Sequence, residues 1–465
     1  MAERYDTIIV GAGIAGLGVA AILAKEGGLK VLVVDRYPKF GGRLISYVDY
    51  PNKGWCVDTG LHLIELGEKS CCNELNSRVG KEVRWAPFSE TVDIWNGGKF
   101  INIAELVPLT KDEKRSFRAI LQKIASITDH EIEAWDCRSL EEWLIENVPQ
   151  QPVRDLFADF GMIMTTIPST IDMAAGEVLY IARENLCKTR QLLQASYPLK
   201  GTEGITCGLV EVIKENGGEI KLNCEAEEIV IEDRKVVGVR IRAKEHIYQE
   251  DYRIFETETK YADRVVCAVP IYHLSRIIDF DPATSPLPRW WIKRISDIRH
   301  EVTALVGYMI GLSEPIIDPK KRSFFTALKT RHSGFPFQAL PASNFSPDVA
   351  PEGKQLIHTD VVCEHPDVAD KFKRERILNL MWEDIKEMFP GVEENLEWRL
   401  PYYVDGCDGL ARKPGLVGNF KPGPKAPGIP NLYFAGDTYL GRGLATNGAA
   451  RSAMLCADLI LETLR

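Results

Sequence analysis

The sequence predicts an α/β fold: a largely parallel, helix-covered sheet of Rossmann-like type, joined to a second, discontinuous α+β domain. Two observations predict it. Near the start, the apolar run at residues 7–10 leads into glycines at Gly11, Gly13 and Gly16, an apolar helical stretch at 14–25 and a second apolar run at 30–34. Near the end, another apolar run at 432–435 leads through a glycine-rich turn into a long helix. Both ends read as strand, turn and helix, and two long excursions separate them.

Each piece of the first unit has a physical reason. A short run of β-branched and aliphatic residues suits a strand buried on both faces of a parallel sheet. In the G-x-G-x-x-G spacing, Gly11 permits the tight turn, Gly13 lets a pyrophosphate approach the backbone, and Gly16 lets the helix pack close to the strand. The helix presents free N–H groups and its positive dipole end to that anion, so Ala12, Ile14 and Ala15 join the glycines as candidate cradle residues. Asp35 closes the second strand 19 residues after Gly16, where a carboxylate accepts hydrogen bonds from a ribose diol. Arg36 adjoins it. Gly41, Gly42 and Arg43 follow, and a guanidinium there can bridge two phosphates with paired hydrogen bonds. Plain NAD dehydrogenases lack that extension, which turns the reading from a nucleotide to a flavin.

Whole-chain properties bound the partners. A chain of 465 residues can bury a large core and form two domains. A formal charge of -9 and a pI near 5.6 argue against nucleic acid, which needs a basic face. Eleven cysteines contain no C-x-x-C pair, which suits a reduced, cytoplasmic setting. No leader is expected before the first strand, and the longest apolar runs fall short of the roughly 20 residues of a bilayer span. A soluble or membrane-peripheral protein is expected, with no metal motif.

Past Arg43, a hairpin leads to a D-x-G-x-H turn at Asp58, Gly60 and His62. The order G-x-G-x-x-G, acid, GGR, D-x-G resembles the flavin-containing amine oxidase, protoporphyrinogen oxidase and phytoene desaturase superfamily, nearest in character to the desaturase-like members. The resemblance implies a flavin amine oxidase-like fold, FAD as cofactor, and Leu61 and His62 beside the flavin ring. It divides the chain into an FAD-binding domain at 1–84, 200–270 and 426–465 and a substrate domain at 85–199 and 271–425.

The first excursion reads as helical. Thr110 with Glu113, and Ser139 with Glu142, form capping boxes before apolar faces. Val153, Leu156, Phe157 and Phe160 continue the pattern, and the resemblance makes this block half of a substrate chamber. The return at 197–223 implies adenine contacts from the backbone around Ala226 and Glu227. In the second excursion, strands at 302–309 and 355–362 and a helix at 368–389 are expected, the strands flooring the chamber. Trp290 and Trp291 are a candidate membrane-contacting edge, against plain burial. At the C-terminal end, Gly436 allows close approach and Asp437 is placed for the ribityl chain or pyrophosphate. The last helix starts near Thr446 or Asn447, after Ala445, and the resemblance points its N-terminus at the pyrimidine end of the flavin, where it stabilises charge on N1 and O2.

Departures from the group's patterns select the chemistry. Where its amine oxidases place a lysine near N5, this chain has His300 and Glu301. Where they place one aromatic wall of an amine cage, it has Ala445 or Thr446. Cys407, 29 residues before Gly436, lies near the covalent attachment point of some monoamine oxidases, but its surroundings differ and a noncovalent flavin is expected. No second G-x-G-x-x-G follows, so electrons pass to or from oxygen, a quinone or a carrier protein. The resemblance thus implies hydride transfer between the flavin and a carbon–carbon bond of a hydrophobic small molecule, as a desaturase, dehydrogenase or saturase. His62, His300, Tyr403, Tyr439 and Arg442 are candidate polar groups of the chamber, with Arg442 as a holder of an anionic substrate group or a plain surface arginine. The residues alone assign no catalytic acid or base. Two alternatives stay open: an amine or protoporphyrinogen oxidase, and a lipid-partner binding protein of the Rab GDP-dissociation-inhibitor type.

Overall fold

A computed structural model describes residues 4–60, 62–89, 91–243 and 257–464, and two seven-stranded sheets carry its architecture. In the first sheet, five parallel strands lie in the order Glu219–Lys221, Val31–Val34, Arg4–Val10, Thr257–Cys267 and Leu432–Phe434. Strands from the two ends of the sequence therefore share one sheet, because both flank the long strand Thr257–Cys267. The rest of that strand's outer edge pairs with the antiparallel hairpin Cys224–Glu232 and Lys235–Ala243.

The helix Ile14–Gly27 buries nearly every side chain of its first three turns. It is apolar all round, as a helix packed on every side must be, and it sits against the helices Gly204–Glu215 and Ala445–Glu462. A Cβ at Gly16 would fall 1.9 Å from the Gly11 carbonyl oxygen, so the helix rests directly on the turn that starts it.

The second sheet runs Leu396–Leu410, Val302–Leu312, Gln355–Glu364, Phe337–Leu340, Ser323–Ala327, Thr91–Trp95 and Phe100–Asn102. One face packs on the helix Lys371–Met388 through Val306, Ile357, Val361, Met381 and Ile385. The other faces a cavity. Its last two strands come from the first excursion, which the sequence reading expects to be helical. They are too short to show alternation, and the parallel pairing of Thr91–Trp95 with Ser323–Ala327 supplies what local pattern lacks.

The helical block carries the capping boxes of Thr110 and Ser139 and a third at Thr128 with Glu131. The helix expected at 368–389 is divided. The Asp370 carboxylate accepts from the N–H of Phe372 (2.8 Å) and Lys373 (3.1 Å), capping the long helix and separating it from His365–Ala369. The tryptophan pair is divided too: Trp290 is 63% exposed, whereas Trp291 is 4% exposed and stacks on Phe434. Consecutive helical residues face different ways, so the two rings form no common edge. Among the described residues no helix is long and apolar enough to cross a membrane.

Candidate functional site

A cavity of about 830 Å³ opens at the carboxyl ends of the first sheet's strands, where Val10, Val34, Ala268 and Gly436 line it, and continues to the second sheet. Ligands in open α/β sheets bind at that end. Gly11, Gly13, Gly41 and Gly42 form its near wall. Gly11 has φ 110°, and a Cβ there would meet the Ala268 carbonyl oxygen at 2.8 Å, so only glycine keeps the turn tight. Asp35 lines the wall and fastens it: one carboxylate oxygen accepts from the Ala12 N–H at 2.7 Å, the other from the Tyr37 N–H at 2.9 Å. Burial raises its pKa against those bonds. Arg36, Cys224 and Ala226 border the same end. Ala12 and Gly16 sit behind the wall, as support for the turn.

Two helix starts open on this cavity. Ile14–Gly27 begins at Gly13 with no side-chain cap and no acid in its first turn, which leaves N–H groups and a positive dipole end to a ligand. Ala445–Glu462 begins at Leu444, again with neither cap nor acid, slightly before the expected Thr446 or Asn447. Leu444, Ala445, Thr446 and Asn447 all line the cavity. The Asn447 side chain is turned away from capping, its amide donating to the Glu65 carbonyl at 3.0 Å and its oxygen accepting from the Cys71 N–H.

Between the two starts lies Arg43. The expectation that it bridges two phosphates needs correction, because its fork is already engaged: Nη2 donates to the Asp437 carboxylate at 2.5 Å and Nη1 to the Gly406 and Cys407 carbonyls. Burial works against the guanidinium charge, but Asp437 outweighs it and the pKa is raised. Arg43 thus clamps the N-terminal turn, the strand Leu396–Leu410 and the C-terminal turn together beside the cavity.

The D-x-G-x-H turn is anchored by Asp58. This carboxylate, 3% exposed, accepts from the Ser46 hydroxyl (2.6 Å), the Tyr197 hydroxyl (2.5 Å) and both the N–H and hydroxyl of Thr202. Four bonds offset the cost of a buried charge and tie the hairpin to the returning segment. His62 lines the cavity with Nδ1 at 2.9 Å from the Gly60 carbonyl oxygen; burial lowers its pKa and keeps the ring neutral. Leu61 lies outside the described residues. Glu65, which no sequence signal singled out, also lines the cavity. Burial pushes its carboxyl up to about 7, against hydrogen bonds from Asn185 and Asn447.

Three of the five candidate chamber groups lie away from the cavity, and a fourth, Tyr403, borders it with its ring turned aside. Tyr403 pairs with Val306, whose side chain belongs to the helix-facing core; its ring lies under the Arg374 guanidinium at 4.0 Å, and its neighbour Tyr402 takes the cavity face, since side chains alternate along a strand. His300 is exposed and stacks on His365 at 5.1 Å. Tyr439 is fully buried, stacked on Phe434, with its hydroxyl donating to the Val269 carbonyl. Arg442 is neither a surface arginine nor a substrate holder: it grips the Asp136 carboxylate at 2.5 and 2.9 Å and faces Glu177 at 3.5 Å, fastening the helical block to the C-terminal turn. Of the five, His62 and Tyr403 line the cavity, Tyr403 with its ring turned to the helix side. The far walls are apolar, formed by Val92, Ile163, Met164, Leu305, Met309 and Phe324. The Cys407 thiol lines the cavity and donates to the Thr303 carbonyl at 3.3 Å; burial raises its pKa well above the ordinary value.

A glycine wall without side chains, two uncapped helix starts and a strand-end carboxylate suit a dinucleotide with an anionic middle and a ribose end. A sequence profile described as flavin containing amine oxidoreductase matches residues 14–461, and the chain belongs to that family. It is 23% identical to a chloroplastic prolycopene isomerase of Daucus carota, over 99% of this chain and 81% of that protein. It is 24% identical to a neurosporene-forming phytoene desaturase of Rhodobacter capsulatus, over 50% of this chain and 49% of the relative. Among solved structures, an oxidoreductase from Methanosarcina mazei superposes with a TM-score of 0.75 at 21% identity, covering 98% of this chain and all of the other. The chain is an FAD-dependent oxidoreductase.

Proposed function

We propose that this family member transfers a hydride between noncovalently held FAD and a carbon–carbon bond of a hydrophobic small molecule, desaturating or saturating it. The observation that carries the reading is one cavity with two characters: a polar glycine wall between two uncapped helix starts, and a chamber walled by Val92, Ile163, Met164, Leu305, Met309 and Phe324. Such a chamber gains by taking apolar surface out of water. Relatives named for prolycopene and phytoene support the same substrate class.

FAD supplies hydride chemistry at N5. The chain's part is to hold and shield it. The start of Ile14–Gly27 would hold the pyrophosphate and Asp35 the ribose, while the start of Ala445–Glu462 would stabilise negative charge gathered on the reduced ring. The apolar walls exclude water from the reacting carbons. Cys407, its thiol kept protonated, is a poor nucleophile for covalent attachment. Electrons pass to or from oxygen, a quinone or a carrier protein.

The test is a visible spectrum followed by an anaerobic screen. Purified protein shows oxidised flavin, released intact on denaturation, and Arg43→Ala and Asp437→Ala lose it. Phytoene bleaches the flavin and amines do not. Bleaching by amines or a porphyrinogen, with peroxide formed in air, would replace this reading by an oxidase. Colourless protein would favour a binding role of the GDP-dissociation-inhibitor kind.

A further inference from the structure

One polar row crosses the chamber's floor. Gln338, Asp360, Gly307 and Tyr402 are consecutive partners across four strands of the second sheet. The row lies on the cavity face: two residues to either side of Gly307 are Leu305 and Met309, and Gln338 and Tyr402 themselves line the cavity. Gly307 lies close under its neighbours: a Cβ there would fall 2.0 Å from the Thr359 carbonyl oxygen and 2.9 Å from Asp360. Tyr402 reaches across it, its hydroxyl oxygen 3.1 Å from one Asp360 carboxyl oxygen and 3.2 Å from the Thr359 carbonyl oxygen. Asp360 is 0% exposed, and its other oxygen has no hydrogen-bond partner among the described residues.

A buried carboxyl with half of its hydrogen-bonding capacity unmet is costly, and a structural tie would not need the acid. We propose that Tyr402 is the proton-transfer group of the carbon–carbon redox step, with Asp360 as the buried acid that supplies its proton and takes it back. The proposal rests on the hydride reading above. In saturation, a hydride with its electron pair passes from reduced FAD to one alkene carbon. The alkene π pair forms a bond to the Tyr402 proton at the other carbon, the O–H bond breaking. The phenolate oxygen then takes the Asp360 proton, and the carboxylate left behind is reprotonated from water. Desaturation would be the reverse, beginning with Asp360 ionised and ending with the hydride delivered to oxidised FAD, which is thereby reduced.

Burial and the nearby Asp408 push the Asp360 carboxyl up to about 8, against the Tyr402 hydrogen bond. Asp408 itself is paired with Arg412. The thiols of Cys407 and Cys363 also lie within electrostatic reach. Two residues along the strand, the His358 imidazole is held neutral, burial lowering its pKa to about 4. Saturation therefore slows, and desaturation quickens, as pH rises through about 8.

Two measurements on the holoenzyme test this. In infrared difference spectra, a buried carboxylic acid band is expected at pH 6, lost as pH rises through about 8, missing in Asp360→Asn and shifted in Tyr402→Phe. In anaerobic flavin bleaching by phytoene, wild type should quicken through about pH 8. Both variants should keep the flavin and be slowed ~100-fold, the lower end for general acid–base catalysis, with no pH step there. A band that does not titrate, or bleaching by Tyr402→Phe at the wild-type rate and pH profile, would overturn the proposal, and this variant decides should Asp360→Asn not fold. If phytoene and every other isoprenoid fail to bleach wild type while the band titrates, the hydride reading falls; loss of the band with bleaching intact removes only the Tyr402–Asp360 couple.

Discussion

Three helix starts of the helical block, at Thr110, Thr128 and Ser139, and the two helix starts at the cavity are built in opposite ways. Thr110, Thr128 and Ser139 each accept from an N–H of the first turn, and Glu113, Glu131 and Glu142 reach back to complete the box. The helices beginning at Gly13 and Leu444 have no side-chain cap and no first-turn acid. A cap is worth about 1 kcal/mol, so the cavity helices forgo stability that this chain secures elsewhere. Gln151–Thr165 and Gly204–Glu215 also begin with neither cap nor acid, so what sets the two cavity helices apart is that their open starts line a space where an anion can complete them.

The sharpest way to break the comparison is Gly13→Asp. A Cβ there meets nothing closer than the Gly42 Cα at 4.0 Å, so the variant should fold and gain a capped helix. The new carboxylate would oppose the pyrophosphate by several kcal/mol, and FAD retention, read as the ratio of flavin to protein absorbance, should fall ~100-fold or more. Yellow protein of wild-type stoichiometry would mean that the open helix start is not the phosphate site.

Unmet groups at the cavity should also be visible in pH dependence. Asp360 has its pKa raised from 3.8 to about 8 by burial. The folded state therefore binds a proton that the unfolded state has released, and the resulting stability, complete below about pH 4, is lost as pH rises to about 8. Asp360→Asn should flatten the thermal midpoint over that window and raise it relative to wild type at pH 8. An unchanged pH slope would place the carboxyl's ionisation elsewhere.

Thr110→Ala tests the capped side of the comparison. It should cost about 1 kcal/mol in denaturant unfolding and leave flavin binding untouched. The smallest effect belongs to Thr446→Asp, which puts an acid in the first turn of the last helix. Helix-terminus charges are worth about 0.3–1 kcal/mol, so the two-electron flavin potential should fall by on the order of 10 mV. A rise would reverse the assigned direction of the dipole.

Legibility follows how each part is made. Gly11, Gly13, Gly16 and Asp35 are readable because a turn that must approach a ligand with its backbone tolerates few residues at fixed spacing. Capping boxes are readable because donor and acceptor are three residues apart. His300, Tyr403, Tyr439 and Arg442 misled because each lies near the site in sequence while register, stacking or a distant acid turns it away. Arg442 is claimed by Asp136 and Glu177 from the helical block, and no local pattern announces that pairing. Tyr402 and Asp360 went unnoticed for the complementary reason: their meeting depends on Gly307 lying between them across three strands.

Local sequence by itself determined the nucleotide cradle, the helix starts and the α/β class, since these depend on residues within one turn or one strand of each other. Tertiary structure alone decided which side chains face the chamber, that two short strands of the helical block complete its sheet, and that a buried acid lies under its floor. Those outcomes depend on which distant backbones pair and in what register, and a one-residue change of register moves a side chain from the cavity to the opposite face.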